Sequence, residues 1–315
     1  MISKFRIGVL VIILNFFASV AMIWGQDNPS LLQMAVPSLN IAPDARGGGM
    51  GDMGAATLPD INSQYWNAAK YAFMGSKAGV SLSYTPWLRK LVNDVALVNM
   101  TGYYKLGNSD LQAISASLRY FSLGEVNIWE NIGDVPYGLN PYEMAFDVAY
   151  SRKLSESYSM AVTLRYIRSD MGTDQNDESN AGNAFSADIS GYLEKYVLMG
   201  NAEALWSFGF NLSNIGSKIS YDGGNTNQYL PAKLTLGTGL LYPIDDYNQI
   251  GVYLDLNKYM VPYAPQKEEG ETDADYQTRV DDYKSWSSLS GMLKSFTDSP
   301  VSYTHLRAHE TRGNL

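Results

Sequence analysis

The residues best equipped for chemistry are few. His305 and His309 are the chain's two histidines and stand four apart, a spacing that superficially suits a metal or a general base. They fall in the last stretch, Val301 to Leu315 (VSYTHLRAHETRGNL), which shows no strand period and reads as foreign to the rest. They are therefore not expected to act as ligands or bases. Without them a Ser-His-Asp triad cannot be assembled. There is no cysteine, which excludes disulfides, thiolate metal sites, a Cys nucleophile and a lipid-modified N-terminal Cys. The glycines at 47–51 lack the Lys-Ser/Thr of a phosphate loop and follow no strand. Asp245-Asp246 and Asp281-Asp282 lie in turn or loop sequence, where solvation is the default for paired carboxylates. The expectation is a protein without catalytic, cofactor-binding or metal-binding residues. A net charge of −9 also argues against nucleic acid as a partner, since phosphate binding needs a basic face.

The polar residues that remain sit in alternating segments. Asp147 and Ser151 interleave with Met144, Phe146, Val148 and Tyr150; Thr163 and Arg165 interleave with Met160, Val162, Leu164 and Tyr166. Ser207, Gly209 and Asn211 interleave with Trp206, Phe208 and Phe210; Gly251, Tyr253 and Asp255 interleave with Ile250, Val252 and Leu254. Successive strand side chains point to opposite faces, so each segment has one apolar and one polar face. The pattern predicts nine strands, at 77–86, 94–104, 110–123, 142–153, 157–169, 184–196, 204–214, 231–242 and 248–258. Most reach about ten residues, the length that crosses a bilayer as tilted β-structure.

A soluble sandwich also alternates, but the connections separate the two cases. Those at 106–109, 154–156 and 244–246 are tight, whereas 124–141, 170–183 and 216–229 are long. Sorting loop length by end is a property of outer-membrane barrels. Two connections fit less well: 87–93 is only moderately long and 197–203 is not very tight. The 45% hydrophobic and 17% charged composition, with 23 Tyr and 28 Gly, fits aromatic girdles and tight turns. On the polar faces Asp147, Arg165 and Asp188 can meet water or an inner segment, and Arg165 and Asp147 can pair with each other or serve transport.

Two segments precede the strands. Met1 to Gly25 has a basic start (Lys4, Arg6), an apolar stretch from Ile7 to Leu14 and small residues before Gly25. It reads as a secretory signal, removed on export. Residues 26–75 then contain APDARGGGMGDMGAATLPDINSQYWNAAKYAF, too glycine-rich for a stable helix. Its charges need water or partners if enclosed. A flexible linker rarely carries a Trp and several Tyr beside its glycines. The alternative is an inner segment folded back inside something wide.

The glycine run, Asp60 to Ser63 and Trp66-Asn67-Ala68-Ala69 resemble the N-terminal plug of FadL-type outer-membrane barrels. More narrowly the stretch resembles the PorV family of the type IX secretion system. That family usually carries Asn-Pro-Ala where this chain has Asn67-Ala68-Ala69. The resemblance extends over most of Asp27 to about Met260. It implies an all-β fold, a transmembrane antiparallel barrel of about fourteen strands with a plug. It implies plug residues at Asp44, Arg46, Gly47, Gly48, Gly51, Asp52, Asp60, Trp66 and Asn67. It also implies a non-enzymatic outer-membrane component. Its partners would be outer-membrane lipid, the secretion translocon, the attachment-complex proteins and the conserved C-terminal domains of cargo. Two other readings stay open: a lipid-modifying enzyme, and a FadL-type channel for hydrophobic small molecules, which needs a side opening in the wall and an apolar pocket that Tyr65, Trp66, Tyr71 and Phe73 would line unless they pack against the wall instead.

Past the strands, Tyr263 to Leu293 is highly charged, with Tyr276, Val280 and Tyr283 at helical spacing. It is expected to be a long, partly helical outer loop, either a docking surface or simply solvated. Residues 76–300 are thus expected to be a partial barrel with its loops. Residues 301–315 resemble translated sequencing-adapter read-through, which would end the natural sequence near Pro300.

Overall fold

The computed structural model describes residues 32–87, 89–90, 94–107, 111–128, 135–172, 181–200, 202–224, 227–268, 270–298 and, for the backbone, 303–312. The expected signal at 1–25 lies outside the described residues. The strands are β1 Ala78–Pro86, β2 Val95–Leu106, β3 Gln112–Leu123, β4 Val126–Ile128, β5 Tyr137–Leu139, β6 Tyr142–Lys153, β7 Tyr158–Asp170, β8 Gly182–Met199, β9 Ala202–Gly216, β10 Lys233–Pro243, β11 Asn248–Tyr259 and β12 Tyr303–Arg312. Ten of them form one antiparallel sheet in the order β1-β2-β3-β6-β7-β8-β9-β10-β11-β12, while β4 and β5 pair separately within the 124–141 connection. No described helix is long and apolar enough to cross a membrane.

All nine expected strands are present, each within a few residues of its expected bounds. The connection between β8 and β9 is tighter than the sequence reading allowed, because Val197, Leu198 and Met199 continue the ladder opposite Ala204, Glu203 and Ala202. Gly200, at φ 69°, then turns the chain. A second correction concerns the tail: Tyr303–Arg312, where no strand was expected, pairs with β11 from Asn257↔Tyr303 to Asn248↔Arg312. The exposed N–H and C=O groups of an edge strand accept any extended chain that reaches them.

Side-chain exposure divides the sheet. Outward rows run across neighbouring strands, such as Leu82–Met100–Leu118–Phe146 and Val148–Leu164. Val80, Leu82, Met100, Leu118, Phe146, Leu164, Phe185 and Val252 are all exposed. Aromatic residues lie toward both strand ends: Tyr84 by the 87–93 connection and Tyr120 by a long one, Tyr104, Tyr150, Tyr196 and Trp206 by the tight turns. The opposite face carries Ser, Thr, Asn, Asp and Arg, and it is buried. What buries it is the N-terminal segment.

That segment is not wholly irregular. A 3₁₀ turn spans Pro37–Asn40, α1 spans Ala45–Gly49, α2 spans Ser63–Trp66 and a 3₁₀ helix spans Ala68–Phe73. The glycine run was expected to resist helix, yet Ala45–Gly49 forms a single turn. Asp44 caps it by accepting from the Gly47 N–H at 2.7 Å, a contact that offsets the poor propensity of glycine.

Candidate functional site

The inner segment is held by side chains from almost every long strand. Asp255 of β11 accepts from the Gly54 and Ala55 amides at 2.9 and 3.0 Å. Ser207 of β9 donates to the Ala56 carbonyl at 2.6 Å, and Asn211 to the Trp66 carbonyl at 3.0 Å. Gln64 accepts from Ser115 of β3 at 2.6 Å and donates to Asp147 of β6 at 2.5 Å. Ser159 of β7 donates to the Ala69 carbonyl at 2.8 Å. Arg119 of β3 reaches the Ser38 carbonyl at 2.7 Å while Glu143 of β6 accepts from the Ser38 amide at 3.0 Å. Tyr71 stacks on Tyr103 of β2 with centroids 4.9 Å apart. Small wall residues make room: Ala113, Ala149 and Ala161 pack with Ala68, Ala69, Tyr71 and Tyr192.

One cavity of about 30 Å³ is lined at once by Thr101 of β2, Asp147 of β6, Asn211 of β9, Asp255 of β11 and the segment's Tyr65 and Trp66. Strands seven positions apart in a flat sheet would be separated by roughly 34 Å. Sharing so small a space requires the sheet to curl around the segment. The cavity has room for about two waters. Asn211 Oδ1 and Asp255 Oδ1, buried and with no protein hydrogen bond, belong to residues that line it.

Of the nine residues singled out from the sequence, Asp44, Arg46, Gly47, Asp60, Trp66 and Asn67 make contacts within the segment or to the wall. Asp44 accepts from Trp66 Nε1 at 2.8 Å as well as capping α1. Arg46 pairs with Asp60, whose other oxygen accepts from the Asn62 amide at 3.0 Å. Asn67 is fully buried; its amide nitrogen donates to the Ala55 and Gly191 carbonyls at 2.9 Å each, and its oxygen accepts from the Ala69 amide at 3.1 Å. The Trp66 ring lies against Gly47 and Gly54 so closely that a Cβ at either would stand 2.3 Å from ring carbon. Gly51 has φ 80°, a conformation that favours glycine. Gly48 and Asp52 are different: nothing lies near a Cβ built at Gly48, and Asp52 is exposed with φ 58°.

Several holding residues were not singled out. Asp255, Ser207 and Asn211 appeared only as polar members of alternating runs. Lys70 is wholly buried within the apolar run AAKYAF, and a lysine in such a run was the available signal. Its Nζ donates to the Gly54 carbonyl at 2.8 Å and to Thr57 Oγ1 at 3.1 Å. Loss of hydration lowers its pKa to about 8, with Asp60 pulling the other way.

Next to the segment sits a buried ion cluster. Arg165 of β7 meets Asp188 of β8 at 2.8 Å and Asp147 of β6 at 3.2 Å, and also contacts Asn214 of β9. Asp188 occupies a register shift between Ala187 and Ile189, and it accepts from the Asn214 amide at 2.7 Å. The extra residue lies in β9, where Ser213 and Asn214 together oppose Asp188 and Asn214 takes φ 59°, which brings its amide and side chain to the cluster. Of the two roles left open for these charges, pairing is the one the geometry displays.

At the end of the long connections lie α3 (Asp273–Ser285) and α4 (Ser288–Asp298), where a partly helical loop was expected. They close over a cluster of Tyr229, Ala232, Met260, Val261 and Met292, which also packs Leu32 and Met34 at the start of the segment. Burial pushes the Tyr283 hydroxyl up to about 12. Arg279 of α3 holds Glu271 through paired contacts of 2.8 and 2.7 Å.

A curled antiparallel sheet, apolar outside and filled by its own N-terminal segment, defines a class of β-protein whose outer face suits lipid and whose interior is already occupied. The long connections gather at one end of the sheet and the tight turns at the other. The chain belongs to the PorV family: residues 25–267 match the family described as type IX secretion system protein PorV. That family is an outer-membrane component of the secretion system and works with its other components. No curated protein matches the chain.

Proposed function

We propose that this protein is a non-enzymatic carrier in the outer membrane. It collects cargo proteins bearing a conserved C-terminal domain as they leave the translocon and delivers them to the surface-attachment complex. On this reading the signal at 1–25 is removed on export. The sheet is the wall of a transmembrane barrel, and residues 26–75 are its plug. The observation that carries the reading is the division of surfaces. With the outer face in lipid and the inner face bonded to the segment, the loops at 124–141, 170–183, 216–229 and 259–293 are what can reach a folded cargo.

The channel alternative needs an apolar pocket near Tyr65, Trp66, Tyr71 and Phe73. The cavity beside Tyr65 and Trp66 is about 30 Å³ and edged by Asp147, Arg165 and Asp255, whereas ligand pockets run to roughly 300–1,000 Å³; the larger apolar hollow, about 580 Å³, is lined by the exposed residues Val80, Met100, Leu118 and Phe146 and opens on the outer face. The test is co-purification of cargo C-terminal domains with the protein from solubilised membranes. Replacing the 259–293 loop by a short turn should lower recovery while leaving the protein in the outer membrane. Undiminished recovery after replacement of all four loops would refute the assignment of the cargo surface.

A further inference from the structure

The helix α4 carries a surface that cargo capture does not explain. Leu289, Leu293 and Phe296 are 63%, 72% and 53% exposed. At i, i+4 and i+7 they form one stripe along the helix. Met292 and Ser295 face the other way and are buried, and Gly291 lies against the Tyr229 ring. The helix is therefore docked, with an apolar stripe turned outward.

Where the stripe sits decides what covers it. On β11 the outward positions are Val252, Leu254, Leu256 and then Lys258, in that order toward the loop end. Lys258 Nζ stands 5.5 Å from the centroid of the Phe296 ring. The stripe on α4 thus begins where the outer apolar face of the sheet stops. Lys294, on the same helix, places its Nζ 3.5 Å from the centre of the Trp286 ring. Trp and Lys are the residues that settle at the level of lipid head groups. Their placement here is local, since the chain as a whole carries −9. The preceding helix α3 is a contrast: it buries no residue and its first turn is acidic, with Asp273 and Asp275.

We propose that α4 is an interfacial helix, seated along the membrane surface with Leu289, Leu293 and Phe296 in the boundary between acyl chains and head groups, and with Lys258 and Lys294 beside lipid phosphates. The inference rests on the reading of the sheet as a membrane wall. Its consequence is that the α3–α4 loop has a fixed tilt relative to the bilayer, which orients the docking surface above it.

The absence of cysteine makes the test direct. Leu293→Cys and, separately, Leu164→Cys in mid-sheet are labelled with a nitrobenzoxadiazole fluorophore in the full chain. Both are reconstituted in phosphatidylcholine vesicles with and without phosphatidylglycerol. The label at 293 should be quenched by lipids spin-labelled near the head group, at a depth of about 5–10 Å, and be shielded from aqueous iodide. The label at 164 should respond to lipids spin-labelled near the acyl terminus. Lys258→Glu with Lys294→Glu should reduce lipid quenching at 293 more in the anionic vesicles; an equal effect in both would overturn the role given to the lysines. If 164 is quenched by lipid but 293 is open to iodide, or is shielded from iodide and lipid alike by a protein surface, the inference fails and the wall stands. If 164 also escapes both spin-labelled lipids, both fail.

Discussion

Gly209 shows how closely the inner segment meets the wall. A Cβ at this position would stand 1.9 Å from the Ala55 carbonyl oxygen and 2.6 Å from its carbon. Both are backbone atoms already tied down by Asn67 and Asp255, so the clash cannot be relieved by rotating a side chain. Gly209→Ala should destabilise the seated segment by about 1–3 kcal/mol, seen as faster amide exchange across residues 53–72. Gly48→Ala, which meets nothing within 4 Å, should be neutral; equal effects at the two sites would refute the close seating. Lys70 gives a second, pH-dependent expectation. Its folded pKa is lowered from 10.5 to about 8. Below about 8 the group is charged in both states, and burying that charge carries its full cost. Between about 8 and 10.5 the unfolded chain holds a proton that the folded protein has lost, so the cost is relieved as pH rises. The shift corresponds to on the order of 3 kcal/mol. Compared with Lys70→Met, the wild-type segment should gain protection as pH climbs through that window, with a constant difference below pH 7. A difference that stays flat through the window would mean that Lys70 keeps its charge inside. The charged groups that act on it are Asp60, Arg46, Asp255 and Asp44.

At the scale of elements, strands were legible because alternation is a local signal, and one buried face enforces it. All nine expected strands appear for that reason. The bulge opposite Asp188 was not legible: it places Ser213 and Asn214 both inward, and two small polar residues in a row near a strand end read in sequence as the approach to a loop. The turn of helix at Ala45–Gly49 was missed because its support comes from Asp44 and from Trp66, which lies 22 positions later than Asp44. Asp255 was visible only as a polar strand residue; that it grips Gly54, 201 positions earlier, is a property of the curled sheet. β4 and β5, three residues each, are too short to show a period. The ion cluster around Arg165 ties β6, β7, β8 and β9 together and carries the element-scale prediction. Arg165→Met strands two buried carboxylates, and breaking a buried pair costs about 3–5 kcal/mol. Denaturation in detergent micelles should show a loss of that size. Adding Asp147→Asn and Asp188→Asn should recover most of it, because no uncompensated charge is then left. A triple variant as unstable as the single one would mean that the arginine contributes by packing rather than by charge.

For the whole molecule the question is which solvent the outer face meets, and the sign of one substitution separates the cases. Leu164 lies mid-strand in β7, 67% exposed, with Val148 and Ala187 beside it. Tyr84 is 64% exposed near the loop end of β1. If water covers this face, an arginine at either site is an ordinary surface change, within about 0.5 kcal/mol of neutral. If lipid covers it, the cost follows depth, about 2–4 kcal/mol at the bilayer midplane and about 0–1 near the head groups. Leu164→Arg should therefore destabilise the protein in phosphatidylcholine vesicles by several-fold more than Tyr84→Arg, as read from denaturant midpoints. In short-chain detergent, which adapts around a charge, the gap should narrow. Near-zero effects at both positions would place the face in water. The carrier reading would then lose its physical basis, because the loop end is singled out only while lipid and the inner segment occupy everything else.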